Sequence, residues 1–163
     1  FYHPILVAVA LFVVGVIFII VETVRGKKRP TTTSIDAITY KEAVIIGLFQ
    51  LAAAVFPGTS RSGATIVGAL MIGVSRATAA EFTFFLAVPV MFGASLLKAA
   101  KYILAGIAMT GGEALILLVG TVVAFIVSVF VIKFLMGYIK KHDFKIFGWY
   151  RIILGILVIL ILR

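Results

Sequence analysis

Apolar residues follow one another in long runs, and the segments outside the runs carry most of the charge. The first run, residues 5–21, is 17 residues long, which is about the minimum for a helix that crosses a bilayer. Longer runs occupy residues 81–104 and 113–132, and a shorter run occupies 147–162. The pattern predicts an all-α polytopic membrane protein with about four transmembrane helices.

A further apolar region, residues 43–74, does not fit ordinary transmembrane helices. Its first piece, residues 43–56, would form about 21 Å of helix, whereas the hydrocarbon core is about 30 Å thick. Pro57-Gly58 then breaks the helix, and the next apolar piece, residues 64–74, is shorter still. Two half-length helices joined by a polar turn predict a re-entrant hairpin, which membranes tolerate where protein or a watery cavity surrounds it.

Composition and charge agree with this interpretation. Only 13% of residues are charged, about half the usual share, which excludes a free-standing soluble domain. The net charge of +9 comes from an excess of Lys and Arg. In so apolar a chain we expect these residues to set the orientation in the membrane and to contact anionic lipid, and we do not expect them to bind nucleic acid. Two connections, residues 25–41 and 133–145, are rich in Lys and Arg, and they can share the cytoplasmic side only if the hairpin returns to the side it left. The predicted order is a transmembrane helix over 1–24, a basic loop over 25–41, the hairpin over 42–75, and transmembrane helices over 79–104, 113–133 and 147–163.

The acidic residues offer no obvious catalytic pair or metal site. Three of the six lie in a T-x-x-E pattern ahead of an apolar run, which predicts capping boxes, with a general base or cation ligand as the alternative. These pairs are Thr39/Glu42, Thr78/Glu81 and Thr110/Glu113. The other three acids, Glu22, Asp36 and Asp143, are interpreted as solvated surface groups, and Arg76 as an interfacial residue. With no Cys in the chain, thiolate metal sites and cysteine nucleophiles are excluded.

The turn of the hairpin concentrates the polar groups of the chain. Four hydroxyls and one guanidinium lie within seven residues, flanked by Gly58 and Gly63; they belong to Thr59, Ser60, Arg61, Ser62 and Thr65. An arginine at membrane depth needs an anionic partner, and the segment contains no carboxylate. Arginine binds phosphate through a planar fork, hydroxyls donate to it, and the second half-helix would direct its N-terminus at the ligand. We therefore expect a phosphate group here.

Two alternatives remain open on the residues alone. The hydroxyls could bond only to helix carbonyls while Arg61 extends to the membrane interface. Broken helices whose N-termini face an anion are also typical of transporters, so a transporter or flippase for a phosphorylated substrate fits the same pattern. Transport predicts movement of the substrate without release of phosphate.

Residues 41–89 resemble the second half of undecaprenyl-pyrophosphate phosphatases, bacterial membrane enzymes of the bacitracin-resistance type. The resemblance is carried by GLFQ at 47–50, PGTSRSGATI at 57–66 and GVSRATAAEFTFFLAVP at 73–89, and the order of flanking helices extends it over essentially the whole chain. It implies one half of an inverted-repeat architecture, in which two hairpins meet in a cavity open to the outer face of the cytoplasmic membrane. The implied reaction converts undecaprenyl pyrophosphate to undecaprenyl phosphate and phosphate, which recycles the lipid carrier of peptidoglycan synthesis.

The resemblance also implies roles for residues of the turn. Arg61 and Ser60 are the candidate catalytic residues, with Arg61 neutralising charge on the phosphoryl oxygens. The substrate-binding set is Thr59, Ser60, Arg61, Ser62, Gly63, Thr65 and Gln50, although Gln50 fits helix packing equally well. The acidic motif and the preferred nucleophile of the family lie in a first repeat that this chain lacks. A divalent cation, Mg or Ca, is implied with its ligands in that repeat, so the isolated chain is expected to catalyse little. Expected partners are the N-terminal repeat, membrane lipids and a second copy in a homodimer.

Overall fold

The structure, a computed structural model, describes residues 4–56, 58–106 and 109–161, and over them it is built from helices. A short 3-10 turn at Ile35–Ala37 precedes the second helix. The helices are α1 (Pro4–Arg25), α2 (Tyr40–Val55), α3 (Arg61–Met71), α4 (Arg76–Leu104), α5 (Gly111–Ile139) and α6 (Lys145–Ile161). Three of them, α1, α4 and α5, are long and apolar enough to cross a membrane. The predicted class, an all-α membrane protein, is confirmed.

The described chain forms two compact units. The first contains α1, α2, α3, the beginning of α4 through Thr83, and the chain from Ile139 onward. The second, Phe84–Tyr138, contains the rest of α4 and nearly all of α5. Apolar side chains of this second unit are exposed along both helices; Phe92 and Phe130, for example, expose 68% and 71% of their surface. Helices that are apolar on every side are typical of surfaces that lipid or other apolar protein covers.

Helices α1 and α6 pack tightly because small residues lie where they meet. A Cβ added to Gly15 of α1 would lie 2.8 Å from the carbonyl oxygen of Gly148 in α6. One added to Gly155 would lie 2.9 Å from the carbonyl oxygen of Ala8. Residue numbers fall in α1 as they rise in α6, so the two helices run antiparallel. Contacts between small residues are typical of membrane helices, because they let two backbones approach each other.

Helices α2 and α3 form an antiparallel hairpin, and both of its open ends are fastened to one loop. The Thr32 hydroxyl donates to Glu42 Oε1 at the start of α2 over 2.7 Å. The Thr32 carbonyl accepts the Ser75 amide after α3 over 2.8 Å, and Thr32 also forms a β-bridge with Val74. Farther along the hairpin, the Phe49 ring lies against Gly68, where a Cβ would be 2.6 Å from the ring.

Two of the three predicted capping boxes are confirmed. The Glu42 carboxylate accepts the Thr39 amide over 2.8 Å, and the Thr39 hydroxyl accepts the Glu42 amide over 3.3 Å. Thr110 and Glu113 exchange the same pair of bonds. The bond from the Thr39 amide, together with the one from Thr32, lowers the pKa of Glu42, which lies ahead of the apolar part of α2.

The third predicted capping box, Thr78/Glu81, is wrong. Helix α4 begins at Arg76, and the residue before it, Ser75, caps the helix: Ser75 Oγ accepts the Thr78 amide over 3.3 Å. Glu81 is exposed one turn farther into the helix. A hydroxyl residue immediately before the first helical position takes the capping role, and Ser75 precedes Thr78 in the chain.

Helix α5 runs beyond the segment that the charge pattern assigns to it. The predicted helix covers residues 113–133, whereas α5 continues past Lys133 to Ile139, which is buried. Lys133-Phe134-Leu135-Met136 consists mostly of residues that favour helix, so a single lysine does not end the element. The basic loop before α6 is correspondingly shorter than predicted.

The interpretation of Glu22 as a solvated group is also wrong, whereas the interfacial position of Arg76 stays a prediction. Glu22 exposes only 2% of its surface and forms an ion pair with Arg76. The two residues lie 54 positions apart, and α3 brings them together by returning the chain to the end of α1. The Arg25 side chain, at the last residue of α1, likewise donates to the Met71 carbonyl at the end of α3.

The packing of α1 on α6 leads to a stability prediction. Gly15→Ala should lower the free energy of unfolding by about 1–3 kcal/mol, because the new methyl group meets the Gly148 backbone. Gly120→Ala is the matched control, since nothing lies within 4 Å of a Cβ there and alanine favours helix. Thermal unfolding in detergent should show a lower midpoint for Gly15→Ala alone, and equal midpoints would contradict the close packing.

Candidate functional site

The turn between α2 and α3 lies against α1 and α6. Gly58 has a φ of 88°, and a Cβ there would lie 2.9 Å from the Val7 carbonyl oxygen in α1. At Gly63 a Cβ would lie 3.0 Å from Arg151 Nη2 in α6 and 3.2 Å from the Phe18 ring in α1. Both glycines therefore let the turn approach neighbouring helices. The turn lies beside α1 between its two ends, next to Val7 and Phe18. Pro57, the predicted helix breaker, is outside the described residues.

Ser60 holds the turn in a conformation that is unfavourable for its residue type. It is the one residue other than glycine with a positive φ in the described part of the chain, at φ 57° and ψ 112°. It is also the N-cap of α3, because its hydroxyl accepts the Gly63 amide over 3.3 Å. The Ser60 and Ser62 hydroxyl oxygens lie 3.3 Å apart. Backbone strain of this kind is concentrated at functional sites.

Arg61 is the first residue of α3, and its side chain is exposed. Among the hydrogen bonds and ion pairs of the described residues, none engages its guanidinium. Ser62 follows it and is also exposed. The first amides of a helix have no acceptor within the helix, and Ser60 satisfies only that of Gly63. The beginning of α3 therefore presents a guanidinium, hydroxyls and free amides at one place.

Two residues of the predicted set lie away from this group. Thr65 is fully buried; its hydroxyl lies within hydrogen-bonding distance of the Arg61 and Ser62 carbonyls, at 3.2 and 2.9 Å, and accepts from the Thr83 hydroxyl over 3.0 Å. Gln50 is half-buried on α2, next to the Phe49–Gly68 contact, and the described hydrogen bonds do not link it to the turn. The structure thus brings residues 59–63 together, with Thr65 behind them. Substrate contacts of Thr65 and Gln50 stay predictions.

A second guanidinium, that of Arg151, lies behind the turn and was missed from the sequence. Arg151 Nη1 donates to the Thr59 carbonyl oxygen over 3.4 Å, and the guanidinium lies 5.5 Å from the Phe18 ring centroid. The side chain is half-buried. The sequence contained a signal for it, because Arg151 is the single charged residue inside the last apolar run. A cation inside an apolar segment needs a partner, which holds for Arg151 as it does for Arg61.

The turn does not suit a divalent cation. It offers hydroxyls, amides and a guanidinium, whereas Mg²⁺ and Ca²⁺ prefer carboxylate and carbonyl oxygens. The described residues contain no group of three or more His, Cys, Asp or Glu side chains that could hold a metal ion. The donor set at α3 is therefore that of an anion site. The divalent cation implied by the family resemblance, with ligands elsewhere in the protein, stays a prediction.

Comparison with known proteins gives one family. The model for the bacitracin resistance protein BacA family matches residues 1–157. The undecaprenyl-diphosphatase of Desulfitobacterium hafniense is 64% identical over 160 residues, which are 98% of this chain and 56% of that protein. Undecaprenyl-diphosphatase 1 of Clostridium acetobutylicum is 63% identical over 155 residues, covering 95% of this chain and 56% of that protein. The undecaprenyl-diphosphatase of Enterococcus faecalis is 60% identical over 158 residues, with coverage of 97% and 56%. The chain spans about half the length of these curated relatives.

The conformation of Ser60 predicts an unusual order of stabilities. Ser60→Gly should be at least as stable as the parent, because glycine relieves a cost of about 1 kcal/mol at positive φ and is a tolerable N-cap. Ser60→Ala should lose about 1 kcal/mol, since it keeps the strain and removes the cap.

The control variants are Ser95→Gly and Ser95→Ala, at an exposed position inside α4. In a helix interior alanine is more stable than glycine, so here the alanine variant should be the more stable of the two. Unfolding midpoints of the four variants measure both orders. A Ser60→Gly variant less stable than Ser60→Ala would contradict the assigned backbone conformation.

Proposed function

The chain belongs to the bacitracin resistance protein BacA family, and from this we propose that its α2–α3 turn binds the pyrophosphate of undecaprenyl pyrophosphate for hydrolysis to undecaprenyl phosphate and phosphate. The names of the relatives support the reaction, and the chemistry of the turn supports the part that this chain plays in it. The chain would supply the phosphate-binding half of the site. The N-terminal repeat of the family would supply the remainder, including the nucleophile, the general base and the ligands of a divalent cation.

The observation that carries the proposal is the exposed guanidinium of Arg61 at the beginning of α3, which has no hydrogen-bond or ion-pair partner among the residues that the structure describes. The turn lies beside the part of α1 between Val7 and Phe18, within a helix long enough to cross a membrane. A cation at such a depth is costly without an anionic partner. A pyrophosphate provides that partner, and it also accepts from hydroxyls and helix amides.

The proposal includes re-entry of the hairpin into the membrane. Helix α2 has 16 residues and α3 has 11, so they are about 24 and 16 Å long and neither reaches across the hydrocarbon core. Both open ends are fastened to the loop around Thr32, which places the turn at the opposite end of the hairpin. We propose that this turn lines a cavity open to the outer face of the bacterial cytoplasmic membrane. A homodimer stays a prediction.

In the net reaction, hydrolysis breaks the bond between the terminal phosphorus and the bridging oxygen, and the phosphate released carries an oxygen from water on that phosphorus. The electron pair of the broken bond stays on the bridging oxygen, which becomes part of the lipid monophosphate. Arg61 would bind the non-bridging oxygens and neutralise their charge as it redistributes. The Ser60 hydroxyl accepts from the Gly63 amide and lies 3.3 Å from the Ser62 hydroxyl, and in the complex we expect it to donate its proton to a phosphoryl oxygen. Arg151 would act on the site through the Thr59 carbonyl, as a positioning residue.

Substitution of Arg61 tests the proposal. In the complete polypeptide that carries this sequence, Arg61→Ala should lower kcat/KM for a polyprenyl pyrophosphate by about 10³-fold or more, as for arginines that stabilise phosphoryl transfer. Arg61→Lys should be intermediate, because lysine keeps the charge and loses the planar fork. Release of inorganic phosphate in detergent measures all of these rates.

Lys101→Ala is the control, since Lys101 is an exposed cation near the end of α4. An equal loss in Lys101→Ala, or no loss in Arg61→Ala, would count against the turn as the phosphate site. Movement of the lipid across vesicles that proceeds without phosphate release would instead support a transporter.

A further inference from the structure

A second polar site lies at the opposite end of α1 and α3 from the turn. It is a cavity of about 530 Å³ formed by the end of α1, the loop that follows it, the connection between α3 and α4, and residues 139–143. Helix α3 ends at Met71, ten residues after Arg61, which separates the cavity from the turn by about 15 Å along the helix axis. The proposed reaction does not use any residue of this cavity.

The cavity is strongly basic. Two carboxylates, Glu22 and Asp143, share its lining with six Arg and Lys side chains: Arg25, Lys28, Arg29, Arg76, Lys140 and Lys141. Both carboxylates are already engaged, Glu22 by Arg76 and Asp143 by Lys145 at 3.8 Å. Five of the cations, Arg25, Lys28, Arg29, Lys140 and Lys141, have no carboxylate within ion-pair distance among the described residues. The cavity therefore holds an excess of positive charge that favours an anion.

Glu22 adds an independent requirement. Its side chain is buried, and while Oε1 pairs with Arg76, Oε2 has no hydrogen-bond partner among the described residues. Buried carboxylate oxygens are nearly always paired with a donor, because burial removes their water. A ligand that matches this cavity carries both an anionic group for the cations and a neutral donor for Glu22 Oε2. A phosphate diester with a free hydroxyl has both.

We propose that this cavity binds the headgroup of an anionic phospholipid that carries a phosphodiester and free hydroxyls, as phosphatidylglycerol does. The cavity begins where α1, a membrane-spanning helix, ends at Arg25, which is the depth at which lipid headgroups lie. Lys140, Lys141 and Arg29 would bind the phosphate, and a headgroup hydroxyl would donate to Glu22 Oε2. The positive charge attracts the lipid, and the carboxylate selects among anionic lipids.

Native mass spectrometry of the complete polypeptide, released from detergent with added lipid, tests the proposal. Phosphatidylglycerol should bind about five- to tenfold more tightly than phosphatidylmethanol, which has the same charge and phosphodiester without the hydroxyl. The double variant Lys140→Gln/Lys141→Gln should weaken phosphatidylglycerol binding about thirty-fold. Lys98→Gln/Lys101→Gln removes the same charge outside the cavity and should leave binding unchanged.

Three results would overturn the proposal. Equal affinity for phosphatidylglycerol and phosphatidylmethanol would remove the role of Glu22. An equal loss in both double lysine variants would show a general charge effect without a defined site. Displacement of phosphatidylglycerol by inorganic phosphate at millimolar concentration would assign the cavity to free phosphate instead of a lipid. These measurements contain no turnover, so their outcome is separate from that of the proposed hydrolysis.

Discussion

A guanidinium inside a membrane protein must have an anion beside it, and this requirement organises the polar part of the structure. Arg76 meets it within the chain, because the buried Glu22 carboxylate pairs with it. Arg151 meets it in part, through the Thr59 carbonyl and the face of Phe18. Arg61 is left without an anionic group among the described residues. Arg76 therefore belongs to a structural ion pair, whereas Arg61 belongs to the proposed phosphate site.

The turn that carries Arg61 is held in place by its packing against neighbouring helices. The packing of α1 on α6 through Gly15 and Gly148 fixes the surface on which Gly58 and Gly63 rest. Inside the unit, Thr65 links the first carbonyls of α3 to Thr83. Sites that bind a charge transiently need their donors positioned beforehand, so that no reorganisation is required when the charge arrives. Small residues and one buried hydroxyl provide that support here.

Much of this architecture could be predicted from the sequence, because its main determinants are local. Long apolar runs define the helices, Pro57-Gly58 marks the interruption, and Thr39 with Glu42 marks a helix start within four residues. The wrong predictions concern contacts between residues that are far apart in the sequence. The pairing of Glu22 with Arg76 joins residues 54 positions apart, and only the return of α3 to the end of α1 brings them together.

Arg151 shows the same limit of local patterns in the candidate site. It lies 92 positions from Thr59, so its contact with the turn depends on how α6 packs. The cap at Ser75 is a smaller error, because two hydroxyl residues close in sequence compete for one role. A local pattern identifies the chemistry of Arg61, whereas tertiary packing decides what surrounds it.

The positive φ of Ser60 has a consequence for the evolution of the chain. Glycine is the residue that this backbone accepts most readily, so random drift at the position should run toward glycine as long as only folding is selected. A serine there carries a backbone cost, and the benefit that can offset it comes from its hydroxyl, which accepts the Gly63 amide. If the proposed function holds, a descendant that kept the fold and lost the reaction would be expected to accept glycine at position 60.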